Sequence, residues 1–472
     1  MTPGPGRVVS HEAGALHGQA GHRGPEWLTP PADGNALVRA LWPANVVKDR
    51  DGVLTVAGVT AAALAADFGT PVYVVDEDDF RTRARAFRDA FAGYDVFYAG
   101  KAFLCRAVAG WVIEEGLNLD VCTGGELAVA VRAGVPGHRI GFHGNNKSDA
   151  ELIRALEVGV GRIIVDSFDE IARLSELASR RGARGSVLVR VTAGVEAHTH
   201  EYIATAHEDQ KFGFSISEGD AFEAVRRVAE APALQLGGLH SHIGSQIFDT
   251  SGFEVAARRV LALHLRVRDE LGIELAELNL GGGFGIAYTT QDDPQPPQAL
   301  ADSILDIVTH ECRALGLAAP HLSVEPGRAI AGPSTFTLYE VGTVKRVLLD
   351  AGTSRLYVSV DGGMSDNIRT ALYGADYSCT LASRRSTAAV TLGRVVGKHC
   401  EAGDVVVNHE FVAADIGPGD LLAVPGTGAY CRSMASNYNH LPRPAVVAVK
   451  EGTARLIVRR ETEEDLLSLD VG

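Results

Sequence analysis

"DVFYAGKAFLCRAV", residues 95–108, is the stretch on which the reading of this chain turns. Apolar and aromatic residues lead into Ala99-Gly100, Lys101 follows, and a helix-like pattern begins at once. A buried strand handing over to a helix is one βα unit, and here a lysine sits at the hand-over. Taken alone, such a lysine is a surface residue whose stem snorkels along apolar neighbours. The rest of the chain has to overturn that reading.

Working outward, the same grammar repeats. Short β-rich runs occupy Val96–Tyr98, Leu117–Val121, Arg139–Phe142, Arg162–Val165, Ser186–Val191, Leu236–His240, Glu277–Leu280 and His321–Val324. Between them lie stretches of helical periodicity such as "SFDEIARLSELASRRG" (167–182) and "GFEVAARRVLALHLRVRDELG" (252–272). Eight βα units over this length predict a (β/α)8 TIM-like barrel; a doubly wound sheet alternates likewise but usually has fewer strands. After about residue 335 the pattern changes to strands separated by turns: "RLYVSVD", "AAVTLGRVVG", "DVVVN", "DLLAVP", "AVVAVK" and "ARLIVRR". "LTVAG" and "PVYVVD", before residue 77, resemble these strands more than barrel strands. The expected class is therefore α/β: a barrel plus a mostly β C-terminal domain, a sandwich or barrel, joined by N-terminal strands. The expected organisation is a flexible Gly/Pro-rich arm over 1–35, strands packing with the β domain over 36–76, the barrel over 77–335 and the β domain over 336–472. "TTQDDPQPPQ" (289–298) is polar and proline-rich and reads as a surface loop.

Composition narrows the function. The chain has 472 residues, 46% hydrophobic and 22% charged, and a formal net charge of −15, which argues against a nucleic-acid-binding surface. No apolar run is long enough to span a bilayer. Six cysteines (105, 122, 312, 379, 400 and 431) form no CxxC pair and no zinc spacing, so they read as reduced thiols of a cytoplasmic protein. The arm's His11, His17 and His22 are scattered among glycines, and His198, His200 and His207 lie in a polar loop; neither set reads as a metal site. No metal is expected.

Barrel chemistry collects at the C-terminal ends of the strands. Those ends carry Lys101, "DVCTGGE" with Asp120, "FHGNNK" with His143 and Asn145, "HSHIGSQ" (240–246), "NLGGGFG" (279–285) and "VEPGRAI" (324–330). The HxH pair has no carboxylate or third histidine at ligand spacing. The turns at 281–283 and at Gly327-Arg328 can present backbone N–H groups to a phosphate, with the Ser245 hydroxyl beside them. A phosphate-bearing cofactor with a nearby lysine is the leading chemistry; such a lysine must be unprotonated part of the time, which a partly buried strand end favours.

"FYAGKAF", "HIGSQ", "GGGFG", "EPGRAI", "GGMSDNIRTALYGA" and "CEAGD", as an ordered set, resemble the family of pyridoxal-phosphate decarboxylases with an alanine-racemase-like barrel, most closely its diaminopimelate-acting branch. The resemblance runs over nearly the whole chain from about residue 36. It implies decarboxylation of meso-2,6-diaminopimelate to L-lysine and CO2, the last step of lysine biosynthesis, with pyridoxal 5'-phosphate joined to Lys101. It implies that His242 stacks on the ring, that Ser245, Gly283, Gly327, Arg328 and Tyr430 line the phosphate side, and that Glu325 pairs with the ring nitrogen. A carboxylate there keeps that nitrogen protonated, which favours decarboxylation over racemisation. Arg369, Tyr373 and Arg328 would grip the substrate's far carboxylate, an arginine fork suiting that group, with Tyr430 beside them and Glu401 meeting the far ammonium. Cys400 would donate the proton to carbon. By the same resemblance the protein is a homodimer whose active sites are shared between subunits. Relatives with serine at Ala402 and proline at Thr370 differ at positions without assigned chemistry. The competing readings are a sister decarboxylase of ornithine, arginine or carboxynorspermidine, and a catalytically silent binding homologue.

Overall fold

In a computed structural model that describes residues 24–194, 211–349 and 354–472, the chain forms two compact units. The histidines of the arm and of the 196–210 loop lie outside the described residues. One unit runs over Arg81–Ile286 and Asp293–Ile330; the other gathers the residues up to Phe80, Ala287–Asp292 and the chain from Ala331 onward.

The first unit is the barrel. Its strands are β1 (Asp95–Ala99), β2 (Asn118–Val121), β3 (Ile140–Phe142), β4 (Arg162–Val165), β5 (Gly185–Thr192), β6 (Leu234–His240), β7 (Glu277–Asn279) and β8 (His321–Val324). Each pairs in parallel with the next, and β8 closes on β1 through Ser323–Asp95 and Val324–Val96. The expected barrel is there, strand for strand. These strands were readable because both faces are covered, which makes each a short continuous apolar run; Ile140, Gly141 and Phe142 are all buried.

The helices between them start and stop on local chemistry. Ser148 and Glu151 form a reciprocal capping box, and Ser167 Oγ accepts the Glu170 N–H at 3.2 Å. The helices Asp149–Val158 and Phe168–Arg181 end at glycines in the left-handed region, φ 69° and 60°. Their apolar stripes, such as Ile171, Leu174 and Ala178, are buried. Cutting Leu174 back to alanine should cost about 2–5 kcal/mol. Within β6 the register shifts between Leu236 and Gly238, where a Cβ on Gly238 would lie 1.9 Å from the Glu277 carbonyl oxygen. Only glycine lets β6 lie close enough to β7 to aim His240 into the barrel.

The second unit is built on one mixed sheet. Its order is 405–413, 390–396, 354–360, 335–348, 72–76, 445–450, 453–458, with 421–425 also paired to 335–348. The N-terminal strand Val72–Asp76 sits between Thr335–Leu348 and Ala445–Lys450. A core of Leu41, Trp42, Leu54, Val56, Val72, Val74, Phe336, Leu338 and Val447 joins the N-terminal segment to the C-terminal strands. Two features depart from the reading of the sequence. Thr335–Leu348, the 14-residue strand at the centre of the sheet, was not among the expected strands. In the stretch read as a surface loop, Thr289 is buried, its N–H donating to Asp292 Oδ2 at 2.9 Å. No described helix is long and apolar enough to cross a membrane.

Candidate active site

The ends of β2, β3, β6 and β8 converge on one buried cluster. His240 Nε2 lies 3.0 Å from Glu325 Oε1, and His143 Nε2 lies 3.3 Å from both Glu325 Oε1 and Asp120 Oδ1. All four residues are less than 9% exposed, so charge here is weakly screened. Burial alone would drive the His143 ring neutral, but the two carboxylates outweigh it and hold its pKa up at about 9. Burial and the Glu325 charge push Asp120 up to about 7, whereas burial takes His240 down to about 4. Burial opposes ionisation of Glu325 too, yet His143 and His240 prevail and keep it anionic. A carboxylate, a charged imidazole and a second carboxyl therefore stand in a row. His143, His240 and Glu325 bring ligand-capable atoms within 4.8 Å of one another, a grouping that spacing along the chain did not reveal and that takes in only His240 of the HxH pair. Their charges already answer each other without a metal.

Around this cluster lie the expected cofactor residues of the barrel. His242 Nδ1 accepts the Gly282 N–H at 3.2 Å, which puts the neutral ring's proton on Nε2. Burial, then the Lys101 charge, hold His242 well below the ordinary range. Arg328 Nη2 donates to Ser245 Oγ at 2.8 Å. Gly283 has φ 100°, and a Cβ there would stand 2.3 Å from the Gly244 carbonyl oxygen. Among the described residues its N–H meets no acceptor. Gly327 packs so that a Cβ would lie 2.8 Å from the Ala99 oxygen. Lys101 stands two residues past β1, and its charge acts on Asp120, Cys122, Glu126 and His242. It is exposed rather than partly buried, because it lies in the turn beyond the strand rather than in it.

Apart from Arg328, the expected substrate residues and Cys400 belong to the other unit, and they hang on a different framework. Arg369 opens the short helix Arg369–Tyr373, which puts Tyr373 one turn on. Arg369 is buried; its Nη1 donates to Tyr377 Oη at 2.5 Å, and its guanidinium lies 4.6 Å from the Tyr288 ring centroid. Asp404 ties two loops together: its carboxylate accepts the Met364 N–H at 2.6 Å and the His399 N–H at 2.8 Å. Gly363 and Gly397 leave room for it, since a Cβ on either would come within 2.4 Å of its oxygens. His399 Nε2 meets Ser365 Oγ at 2.8 Å, and Asn439 Oδ1 accepts the Cys400 N–H at 3.3 Å. Cys400 and Glu401 are thus held by the backbone while their side chains face outward, exposed. Tyr430 has φ 61°, a strained conformation for a tyrosine, between buried Ala429 and Cys431.

The sequence had marked Asp120, His143 and His240 only as strand-end positions, and had not marked Arg190, Tyr288, Tyr377 or Asp404 at all. Arg190 is buried 3.8 Å from Asp166, and its charge reaches His242. The buried Glu325 carboxylate, held anionic by His143 and His240, suits a protonated ring nitrogen, and the Arg328, Ser245 and Gly283 donors suit a phosphate. The residues present fit pyridoxal phosphate.

Residues 77–332 match the family model for the pyridoxal-binding domain of pyridoxal-dependent decarboxylases. The diaminopimelate decarboxylase of Mycobacterium tuberculosis is 58% identical over 440 residues, 92% of this chain and 98% of that one. That of Bacillus subtilis is 47% identical, covering 90% of this chain and 96% of its own. Among solved structures, the diaminopimelate decarboxylase of M. jannaschii in complex with L-lysine superposes with a TM-score of 0.84 at 32% identity, over 91% of this chain and 98% of that one.

Proposed function

Because the chain belongs to the diaminopimelate decarboxylases of the pyridoxal-dependent decarboxylase family, we propose that it removes CO2 from meso-2,6-diaminopimelate to leave L-lysine, the last step of lysine biosynthesis, in the cytoplasm. The observation that carries this reading is Glu325: a carboxylate buried at the end of β8 and held anionic by His143 and His240. Bound pyridoxal phosphate supplies the electron sink for the pair left behind when CO2 departs.

This chain's residues would do the rest. Lys101 holds the aldehyde end, and Glu325 holds a proton on the ring nitrogen. His143, charged and backed by Asp120, keeps Glu325 ionised for that task. His242, neutral and fixed by the Gly282 N–H, offers a ring face for stacking. Arg328, Ser245, Gly283, Gly327 and Tyr430 take the phosphate. At the substrate's far end, Arg369, Tyr373 and Arg328 grip the carboxylate and Glu401 the ammonium. Cys400 delivers the proton from Sγ to the carbon that lost CO2.

We take the active site to be shared in a two-fold homodimer, in which each chain gives its partner what it receives. What supports this is the exposure of Cys400 and Glu401: a proton donor to a reacting carbon must work away from bulk water. The assay is CO2 release from a panel of meso-diaminopimelate, ornithine, arginine, lysine and carboxynorspermidine. Diaminopimelate should be turned over best. Faster release from a substrate lacking the distal carboxylate would remove Arg369 from its role and turn the reading to a sister decarboxylase.

A further inference from the structure

Three strands of the β unit carry a group of cations that the chemistry above does not use. Tyr357 on 354–360 is the register partner of Arg394 on 390–396, so the two share a face of the sheet. Arg355, two residues before Tyr357, lies on that face as well. His409, from 405–413, joins them, with its Nδ1 3.5 Å from Arg355 Nη2. The guanidinium of Arg394 lies 5.9 Å from the Tyr357 ring centroid, and its Nε donates to the Asn408 carbonyl at 3.1 Å.

Both arginines are buried, Arg355 to 5% and Arg394 to 4% exposure. A buried guanidinium is ordinarily matched by a carboxylate, because an unmatched charge keeps its full desolvation cost. Here no carboxylate lies within ion-pair distance of either among the described residues, and Arg355 Nε is buried without a hydrogen-bond partner. Glu410, next in the chain to His409, takes the Ser378 hydroxyl at 2.6 Å instead. The Asp376 carboxylate accepts from the Asn408 amide at 3.2 Å. Burial and the two arginines hold His409 down at about 4, so its ring is neutral and adds no third cation at working pH.

We propose that Arg355, Arg394, Tyr357 and His409 form a binding site for a small oxyanion, a phosphate or a carboxylate. Two guanidiniums beside a neutral imidazole and a phenol make a donor set that such an anion completes. The depth of both arginines favours a small ligand over a flat protein surface. A site of this kind would make the stability of the β unit respond to the ionic composition of its surroundings.

The test uses the enzyme loaded with its cofactor, so that the cofactor's own phosphate site is filled. Thermal unfolding is followed against increasing sodium phosphate, and separately sodium malonate, with sodium chloride at matched ionic strength as the baseline. Wild-type Tm should rise with the logarithm of the phosphate or the malonate concentration beyond the chloride baseline; the anion that acts names the source. Arg355→Met and Arg394→Met should each lose that rise while keeping decarboxylase activity. Arg355→Met in chloride should be no less stable than wild type, since it removes an unmatched buried cation. Should either methionine variant fail to fold, Arg355→Lys, which keeps the charge but loses the fork, should weaken the response at least tenfold. The ring Hε1 resonance of His409, identified by its loss in His409→Asn, should move with the same anion in the same concentration range. A wild-type Tm that follows chloride alone overturns the site, as does a response that persists undiminished in both arginine variants. Either result leaves the decarboxylase reading untouched, because no residue of that chemistry is altered.

Discussion

The two halves of the machinery are prepared in opposite ways. At the barrel's strand ends the groups proposed to act on the cofactor are mostly buried and answered by one another: Glu325 by His143 and His240, His143 by Asp120, Arg328 by Ser245. In the β unit the backbone is fixed just as firmly, through Asp404 and Asn439, but Cys400 and Glu401 end in the open. The difference separates two tasks. A group that sets the electronic state of a cofactor needs fixed neighbours and a low dielectric before anything binds. A proton donor needs its environment only when the substrate is in place, and an outward-facing side chain on a rigid loop can receive it from another body.

Removing the one exposed member of the barrel half should have the largest effect. Lys101→Ala should lower kcat by about a thousandfold or more, in line with deletion of a covalent catalyst elsewhere. In the wild type, borohydride should fix the cofactor on a peptide containing Lys101; label on another lysine would dismiss the assignment.

Cys400→Ala should cost about a hundredfold to ten-thousandfold in kcat, as befits a general acid. It also tests the comparison directly. Mixed with Lys101→Ala under conditions of proven subunit exchange, a shared site leaves one pocket of each mixed dimer intact. Up to about a quarter of wild-type activity should then return, since random exchange makes half of the dimers mixed. Exchange without recovery would place both residues' work within one chain.

Arg369→Lys keeps the charge but loses the fork and the stack on Tyr288, so KM for diaminopimelate should rise roughly tenfold with cofactor spectra unchanged. An unchanged KM would take Arg369 out of the substrate site.

How much of this the sequence disclosed follows from what each feature depends on. The barrel strands were legible because burial on both faces writes itself as a short apolar run, as in Arg162–Val165. Thr335–Leu348 was passed over because its second half, from Glu340, mixes Glu340, Lys345 and Arg346 with valines along a largely exposed ladder, which is not the apolar signature of a central strand. Lys101 and Glu325 were each found through a motif whose residues are contiguous in the chain. The His143–Glu325–Asp120 row was not, because Glu325 follows the last strand, far along the chain from Asp120 and His143, and meets them only when the barrel closes. The aromatic cradle of Arg369 was hidden for the same reason: Tyr288 comes from the polar stretch that joins this unit through residues 287–292.

The smallest effect should come from the interior of the barrel half, as a pH dependence of stability in the cofactor-free protein. His143 is held up at about 9, against an ordinary value of 6.5, by carboxylates that lie beside it only in the folded state. A raised folded-state value means the stabilisation is complete below about pH 6.5 and is lost as pH climbs through about 9. At about 1.4 kcal/mol per pKa unit the loss is at most roughly 3 kcal/mol, and the sharing of charge with Glu325 and Asp120 reduces it. Asp120 does not confuse the window: burial raises it to about 7, so its own preference for the protonated form is spent before His143 begins to titrate. Lys48, which burial lowers to about 8, titrates in wild type and variant alike and cancels in the difference. Between pH 7 and 9.5 the Tm of the wild type should therefore fall by roughly 3–5 °C more than that of His143→Gln, whatever their separation at pH 7. Parallel curves would mean that His143 carries no proton for Glu325 to lean on, and that the barrel half is held together by shape rather than by charge.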